Sequence, residues 1–389
     1  MRRAARCLIF GALTLGVMAP TVSHAAVTTP WFTTRGQAFV DATGTPVILR
    51  GVNAHPSHAV GPVASIGANI ARVFVRWSDI EPVAPSGATH AWSASKLSQL
   101  DAMVAGLRDR GVAVEIDLHQ CGWSSYWAEL RAGQCNAGIP GWYYADGRFP
   151  LTLEGRAAAT AAWWTTEADR SHAAYVPFVQ MMVQRYSSSV NVVGFGLVNE
   201  PPQGTLGATT EATNAILAWL VPVAQAVRAI DPLRAIFFMC REDAAGVGTA
   251  DLSQITAVGH TVLDWHDYVS GLPGVTFDAA GDNLVSASGA PIYMHQVSAY
   301  TGTLAAQQAV LAVPAARAAA AGIPLFVGEW GAKRGTVNVK TYQSQMFTAF
   351  DALGVSWARW SLSRTDSFAL ENPDGTLTDA GRQIKRRLT

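Results

Sequence analysis

Two glutamates stand where an apolar, strand-like run stops. Glu200 closes Val193-Gly-Phe-Gly-Leu-Val-Asn-Glu-Pro201, a run that leads directly into Asn199 and Glu200 before Pro201-Pro202 ends it. Glu329 closes the shorter run in Pro324-Leu-Phe-Val-Gly-Glu-Trp-Gly331. Two carboxyl groups brought face to face can hydrolyse a glycosidic bond. One stays protonated and delivers its proton to the departing oxygen, while the other is ionised and attacks the anomeric carbon. With retention of configuration, this chemistry needs the two groups about 5–5.5 Å apart. Taken singly, either glutamate has the plainer explanation of a salt-bridged structural carboxylate. The chemistry depends on both arriving at one place.

The elements that would bring them there alternate along the chain. Short apolar runs predict buried parallel strands at Val47–Val52, Ile70–Val75, Ala113–Leu118, Val192–Val198, Ala235–Met239, Val262–Trp265, Leu325–Val327 and Ser356–Trp360. Helices are predicted between them, among others at Lys96–Arg110, Tyr175–Tyr186, Ala212–Ile230 and Thr303–Ala321. In the first of these, Leu97, Leu100, Met103, Val104 and Leu107 repeat with the period of one helix face. Eight strands with intervening helices predict an α/β fold, a (β/α)8 TIM barrel, over an open doubly wound sheet. Reactive side chains in such a barrel lie at the C-terminal strand ends, where Glu200 and Glu329 fall. A single catalytic domain is expected over 26–389, with surplus length in the loops Gln120–Thr165 and Asp267–Gly302.

Composition narrows the class further. The 389 residues are 49% hydrophobic and 14% charged, enough to bury a large core and too little charge for a disordered chain. Lys+Arg 28 against Asp+Glu 28, with no basic block, argues against a nucleic-acid binder. The N-terminus reads as a secretory signal over 1–25. Arg2, Arg3 and Arg6 precede the apolar run Cys7–Ala19, and Ser23-His24-Ala25 offers small residues before the cut. That run is short of the roughly 20 residues that span a bilayer, and no later segment reads as a span. A secreted protein without a stable membrane anchor is expected. Cys121 with Cys135 would close a short loop, and Cys240, ending Ala235-Ile-Phe-Phe-Met-Cys240, reads as a buried thiol. Between Cys121 and Trp164 lie Trp123, Tyr126, Trp127, Trp142, Tyr143, Tyr144, Trp163 and Trp164. These rings either stack on sugar or build a small core for the insertion; Trp123, Trp127 and Trp142 are the candidates for the cleft, Trp163 and Trp164 for the interior.

The sequence resembles glycoside hydrolase family 5, the cellulase-like retaining glycosidases, over nearly the whole mature chain, from Leu49-Arg-Gly-Val-Asn53 to Trp357-Ala-Arg-Trp360. Eight positions characterise that family's site, and each has a candidate in chain order at a strand end. They are Arg72, His119, Asn199, Glu200, His266, Tyr268, Glu329 and Trp360. The resemblance implies that Glu200 is the acid/base and Glu329 the nucleophile. An arginine reaching Glu329 would favour its ionised form. His266 and Tyr268 could donate to the same carboxylate or to the sugar, Asn199 could hold the sugar 2-hydroxyl, and Trp360 offers a flat apolar face. No cofactor is implied, and no His-Glu-x-x-His pattern points to a metal.

Other polar residues are secondary. Asp117 shares the period-two face of His119 and reads as its support; Glu81, Glu115, Asp264 and Asp267 end no apolar strand as cleanly. His55 and His58 follow the first strand and are candidates for a subsite. Gly194-Phe-Gly196 is no dinucleotide fingerprint, because Asn199 occupies the third glycine position. The segments Arg76-Trp-Ser-Asp-Ile-Glu-Pro82 and Asp117-Leu-His-Gln120 are similar to those of bacterial endoglycosylceramidases. That group usually continues with an acid where this chain has Cys121. The expected partner is a β-linked oligo- or polysaccharide, with glycolipid kept open, acted on by a monomer. A catalytically inactive, glycan-binding barrel is the alternative.

Overall fold

The computed structural model describes residues 27–131, 137–240, 244–268, 275–277, 284–286, 291–292 and 297–389. Residues 1–25 of the expected signal segment and Cys135 lie outside them. Cys121 is disulfide-bonded, and Cys240 is buried, as expected.

Eight parallel strands close into a barrel, each pairing with the next and the eighth with the first. They are β1 (Arg50–Ala54), β2 (Ile70–Arg76), β3 (Ala113–His119), β4 (Val192–Gly196), β5 (Ala235–Phe238), β6 (Thr261–Asp267), β7 (Leu325–Trp330) and β8 (Ser356–Arg359). The first strand is displaced from its expected place. Pro46 and Val47 instead pair with Val40 and Phe39 in an antiparallel ribbon that precedes the barrel. The apolar run there serves two elements. Proline lacks the amide a barrel strand needs on both sides and is tolerated at the ribbon's edge. The helix expected from Tyr175 starts at Ala168 and carries Pro177 inside. Thr210–Ile230 is, contrary to expectation, long and apolar enough to cross a membrane; here Ile216, Leu220, Val223 and Val227 are fully buried within the fold.

Period-two alternation divides each strand between two environments. On β2, Ala71, Val73 and Val75 join the helix-facing core, while Ile70 enters a separate cluster inside the barrel. That inner cluster is a floor made from N-terminal strand positions, with Ile70, Ala113, Val262 and Phe326 among them. The ribbon plugs it from below. Phe39 lies 5.9 Å from Phe237 and 6.4 Å from Phe326, ring to ring, and those two are 5.3 Å apart. Above the floor the interior turns polar.

Because Phe39 is 3% exposed and fills the barrel end away from the strand tips, Phe39→Ala is expected to destabilise the fold by about 3 kcal/mol or more. Urea denaturation should show this as a lower midpoint, with turnover by the folded fraction close to wild type.

Candidate active site

The polar interior is built by the same alternation. Arg72 and Phe74 follow Ile70 on the inner side of β2, and Glu115, Asp117 and His119 follow Ala113 on β3. Asp264 and His266 follow Val262 on β6. On β7 the alternation breaks. Val327 pairs with Trp265 and Glu329 with His266, so Gly328 is an extra residue in a bulge. The bulge advances the phase by one. Glu329 therefore turns into the barrel, while Trp330 packs against Phe347, Phe350 and Trp357 on the outside.

Arg72, 1% exposed, is the hub. Its Nη1 donates to Glu329 Oε1 at 2.7 Å and to Asn53 Oδ1 at 3.0 Å; its Nη2 donates to Asn199 Oδ1 at 2.8 Å and pairs with Asp117 Oδ1 at 3.0 Å. Burial by itself would disfavour the guanidinium charge, but Asp117, Glu329, Glu115 and Asp264 outweigh it and hold the charge firmly in place. Tyr268 donates its hydroxyl to Glu329 Oε2 at 2.6 Å. Both oxygens of Glu329 thus accept a hydrogen bond, the arrangement that suits a carboxylate.

Glu200 lies in a different setting. Its side chain is 24% exposed and its Oε1 lies 2.7 Å from His266 Nδ1. Burial at the barrel mouth raises its carboxyl above the usual range, with Asp117 adding to the rise and His119 and Arg72 opposing it. His266 is pushed down to about 3, chiefly by burial, and is neutral near pH 7. Carboxylate oxygens of Glu200 and Glu329 and a ring nitrogen of His266 all lie within 4.8 Å of one another. Glu200 is engaged by His266, and Glu329 by Arg72 and Tyr268, with His266 Nδ1 3.7 Å from Glu329 Oε2.

His119 and Trp360 form the adjoining wall, stacked at 5.6 Å with a 10° interplanar angle. Asp117 Oδ2 holds His119 Nδ1 at 2.7 Å, leaving Nε2 for a ligand. Burial alone would raise Asp117, yet Arg72 and the His119 hydrogen bond keep it below its ordinary value. The eight residues singled out in the sequence thus share one site, although Arg72 stands inside β2 and not at its end.

A family model for cellulase, glycosyl hydrolase family 5, matches residues 40–366. The chain belongs to glycosyl hydrolase family 5. No curated protein sequence matches it. Among solved structures, an endogalactoceramidase superposes with TM-score 0.69 at 17% identity, covering 92% of this chain and 84% of that one. Endo-glycoceramidase II from Rhodococcus sp., in complex with a cellobiose-like isofagomine, gives 0.67 at 19% identity over 90% and 81%. A beta-glucanase from Saccharophagus degradans gives 0.58 at 16% over 95% and 97%. At these identities the likeness is one of fold. As a family member, the chain is a glycoside hydrolase.

This family 5 member departs from the expected cleft in its β3 loop. Trp123 and Trp127, expected to bind sugar, are 0% and 1% exposed. Their indole N–H groups bond inward, to the Tyr144 hydroxyl at 2.9 Å and the Pro150 carbonyl at 3.0 Å. With Tyr143, Tyr144 and Trp163 they pack the insertion into the continuous core on the helix-facing side of the barrel. Trp142 is half-buried and donates to the Glu81 carbonyl at 2.8 Å. Trp164 donates to the Pro202 carbonyl at 2.7 Å, tying the insertion to the segment just after Glu200.

Gln120 had no role in the expected site. Its Nε2 donates to the carbonyls of Asn199 at 2.8 Å and Glu200 at 2.6 Å, and its own carbonyl accepts from Asn199 Nδ2 at 3.0 Å. Glu200 has φ 41, a left-handed backbone that costs a non-glycine residue about 1–2 kcal/mol. Gln120 holds both peptides flanking that strain. Only its place beside His119 hinted at this, since a glutamine following a strand carries no signal of its own. Gln120→Ala is expected to lower kcat about tenfold or more with a smaller change in KM, because Glu200 loses its fixed position. Steady-state kinetics on one good substrate checks the split.

Proposed function

We propose that the protein is an exported, retaining β-glycosidase that cleaves β-linked glucans, glucosides or related glycans, glycolipids included, by double displacement. The observation that carries this reading is the pair of carboxyl oxygens within 4.8 Å, one group held by Arg72 and Tyr268 and the other, Glu200, raised by burial. A separation that short suits direct attack and leaves no room for the intervening water of an inverting enzyme. Glu329, fixed by Arg72 and Tyr268, attacks the anomeric carbon. Glu200, kept protonated by burial, gives its proton to the leaving oxygen and then takes one from the incoming water. His119 and Trp360 supply a hydrogen-bonding nitrogen and a flat face for the sugar. Export is supported by Arg2, Arg3 and Arg6 ahead of the apolar run Cys7–Ala19. The glycolipid part leans on the fold's likeness to endoglycoceramidases, one of them solved with ganglioside GM3. An inactive glycan-binding barrel is disfavoured because both carboxyls keep their partners.

Hydrolysis of aryl β-glycosides, β-glucan oligosaccharides and a glycosylceramide tests the reading. Glu329→Gln should lower turnover about a thousandfold or further with the fold intact; appreciable hydrolysis by that variant would sink the assignment. For Glu200→Ala, azide should restore cleavage of an activated aryl glycoside, and absence of rescue would remove its acid/base role. The raised Glu200 carboxyl keeps its proton to higher pH than an ordinary glutamic acid. The alkaline limb of kcat/KM should therefore fall above the usual glutamate range.

A further inference from the structure

The site described so far uses one nitrogen of His266. Nδ1 meets Glu200, whereas Nε2 makes no hydrogen bond although the side chain is 1% exposed. Oδ2 of Asp264 lies 3.8 Å from that nitrogen. Asp264 stands two residues earlier on β6, so the period of the strand puts both side chains inside the barrel. Its carboxyl is tightly seated. Oδ1 accepts the Gly328 amide at 2.9 Å, and a Cβ on Gly328 would come within 2.3 Å of Oδ1 and 2.7 Å of Oδ2. The bulge that turns Glu329 inward is thus also the seat of Asp264. The 3.8 Å gap is of the kind that tightens once substrate is bound.

An imidazole with a carboxyl group at each nitrogen has two arrangements that exchange by proton shifts alone. We propose that Asp264 is a positioning residue that acts through His266, setting which ring nitrogen carries the proton and returning a proton to Glu200 from inside the barrel. In the recharging direction, the Asp264 O–H bond breaks as Nε2–H forms. Nδ1–H then breaks as the Glu200 O–H forms. One proton enters and one leaves the ring, which stays neutral, and the negative charge passes from Glu200 to Asp264. Glu200 then gives that proton to the leaving oxygen and is a carboxylate when it takes one from the incoming water. Only afterwards do the shifts run backward, Glu200 O–H and Nε2–H breaking as Nδ1–H and the Asp264 O–H re-form.

The charges around the relay favour this cycle. Asp264 faces Arg72 from β2 at 3.7 Å, Glu115 and Asp117 from β3, and Glu329 from β7. One guanidinium serves four carboxyls, so they cannot all be ionised. Asp264 is raised to about 7, first by burial and then by Asp117 and Glu329 against the opposing pull of Arg72. Glu115, buried with both oxygens lacking hydrogen bonds, is raised as well. On the other side, Glu200 faces His119 and Asp117 from β3, Arg72 from β2 and Tyr268 after β6. His266, with its pKa pushed down, does not trap the proton as imidazolium.

The relay rests on the acid/base role of Glu200, and its test is separable from that of the role. In Asp264→Asn the new amide N–H would face Nε2, holding the ring proton on Nδ1 and favouring the Glu200 carboxylate. The alkaline limb of kcat/KM should then move down by about one pH unit. The loss should be about tenfold greater for an alkyl β-glucoside, whose departure needs a proton, than for a dinitrophenyl β-glucoside, whose departure does not. Asp264→Ser, which lacks the carboxyl and the amide, should move the limb in the same direction. A folded variant with an unmoved limb and equal losses on both substrates overturns the proposal. Nitrogen-15 NMR of the wild-type protein reads the ring directly. His266 should carry its proton on Nε2 at low pH and shift it toward Nδ1 as the limb is crossed. A ring fixed on Nδ1 throughout overturns the relay without any variant, whereas failed azide rescue of Glu200→Ala overturns the acid/base role instead.

Discussion

Everything in the mouth of this barrel is arranged around one buried cation. Arg72 binds the carboxylate of Glu329, the amide oxygens of Asn53 and Asn199, and the carboxylate of Asp117 at once. Its fork is planar and its charge permanent, so four partners, on β1, β3 and β7 and just after β4, are placed relative to a single rigid group. A lysine has neither the reach nor the geometry for this. The cluster also explains how so many acids share one interior. Their mutual repulsion is relieved partly by Arg72 and partly by the upward shift of the Glu115 and Asp264 carboxyls, which favours their neutral forms.

Backbone irregularities do as much as charge. The β7 bulge reverses the side on which residues after Val327 appear, so that Glu329 and Gly328 both serve the interior. At the tip of β4, Glu200 has a left-handed backbone, and Gln120 pins the peptides on either side of it. The two acids thus come from strands that depart from ideal geometry at the residue that matters, a familiar association between strain and function.

Much of this was legible in the sequence. Apolar runs marked the eight strands, and polar residues at their ends marked the site, because alternation and burial are local and leave a pattern in residue type. What was not legible depended on register and packing. Val47 looked continuous with β1, yet it belongs to the ribbon; only pairing distinguishes the two. Trp123 and Trp127 have the chemistry of sugar platforms, but they are buried in packing the insertion onto the main core. Residue type alone cannot separate those uses. Gln120 was missed because its targets are backbone carbonyls, which have no signature in the sequence. Asp264 stood in plain sight beside His266, but its seat depends on a glycine far along the chain.

The ribbon that plugs the barrel floor imposes an order on folding. Phe39 is made early, while two of its ring partners, Phe237 on β5 and Phe326 on β7, belong to the second half of the chain. Contacts so distant in sequence cannot form until almost the whole polypeptide is present, and they carry the loop-closure entropy of the entire barrel. The floor is therefore sealed late. A chain that lacks these contacts leaves the apolar inner ends of the strands open to solvent, the kind of surface that promotes self-association.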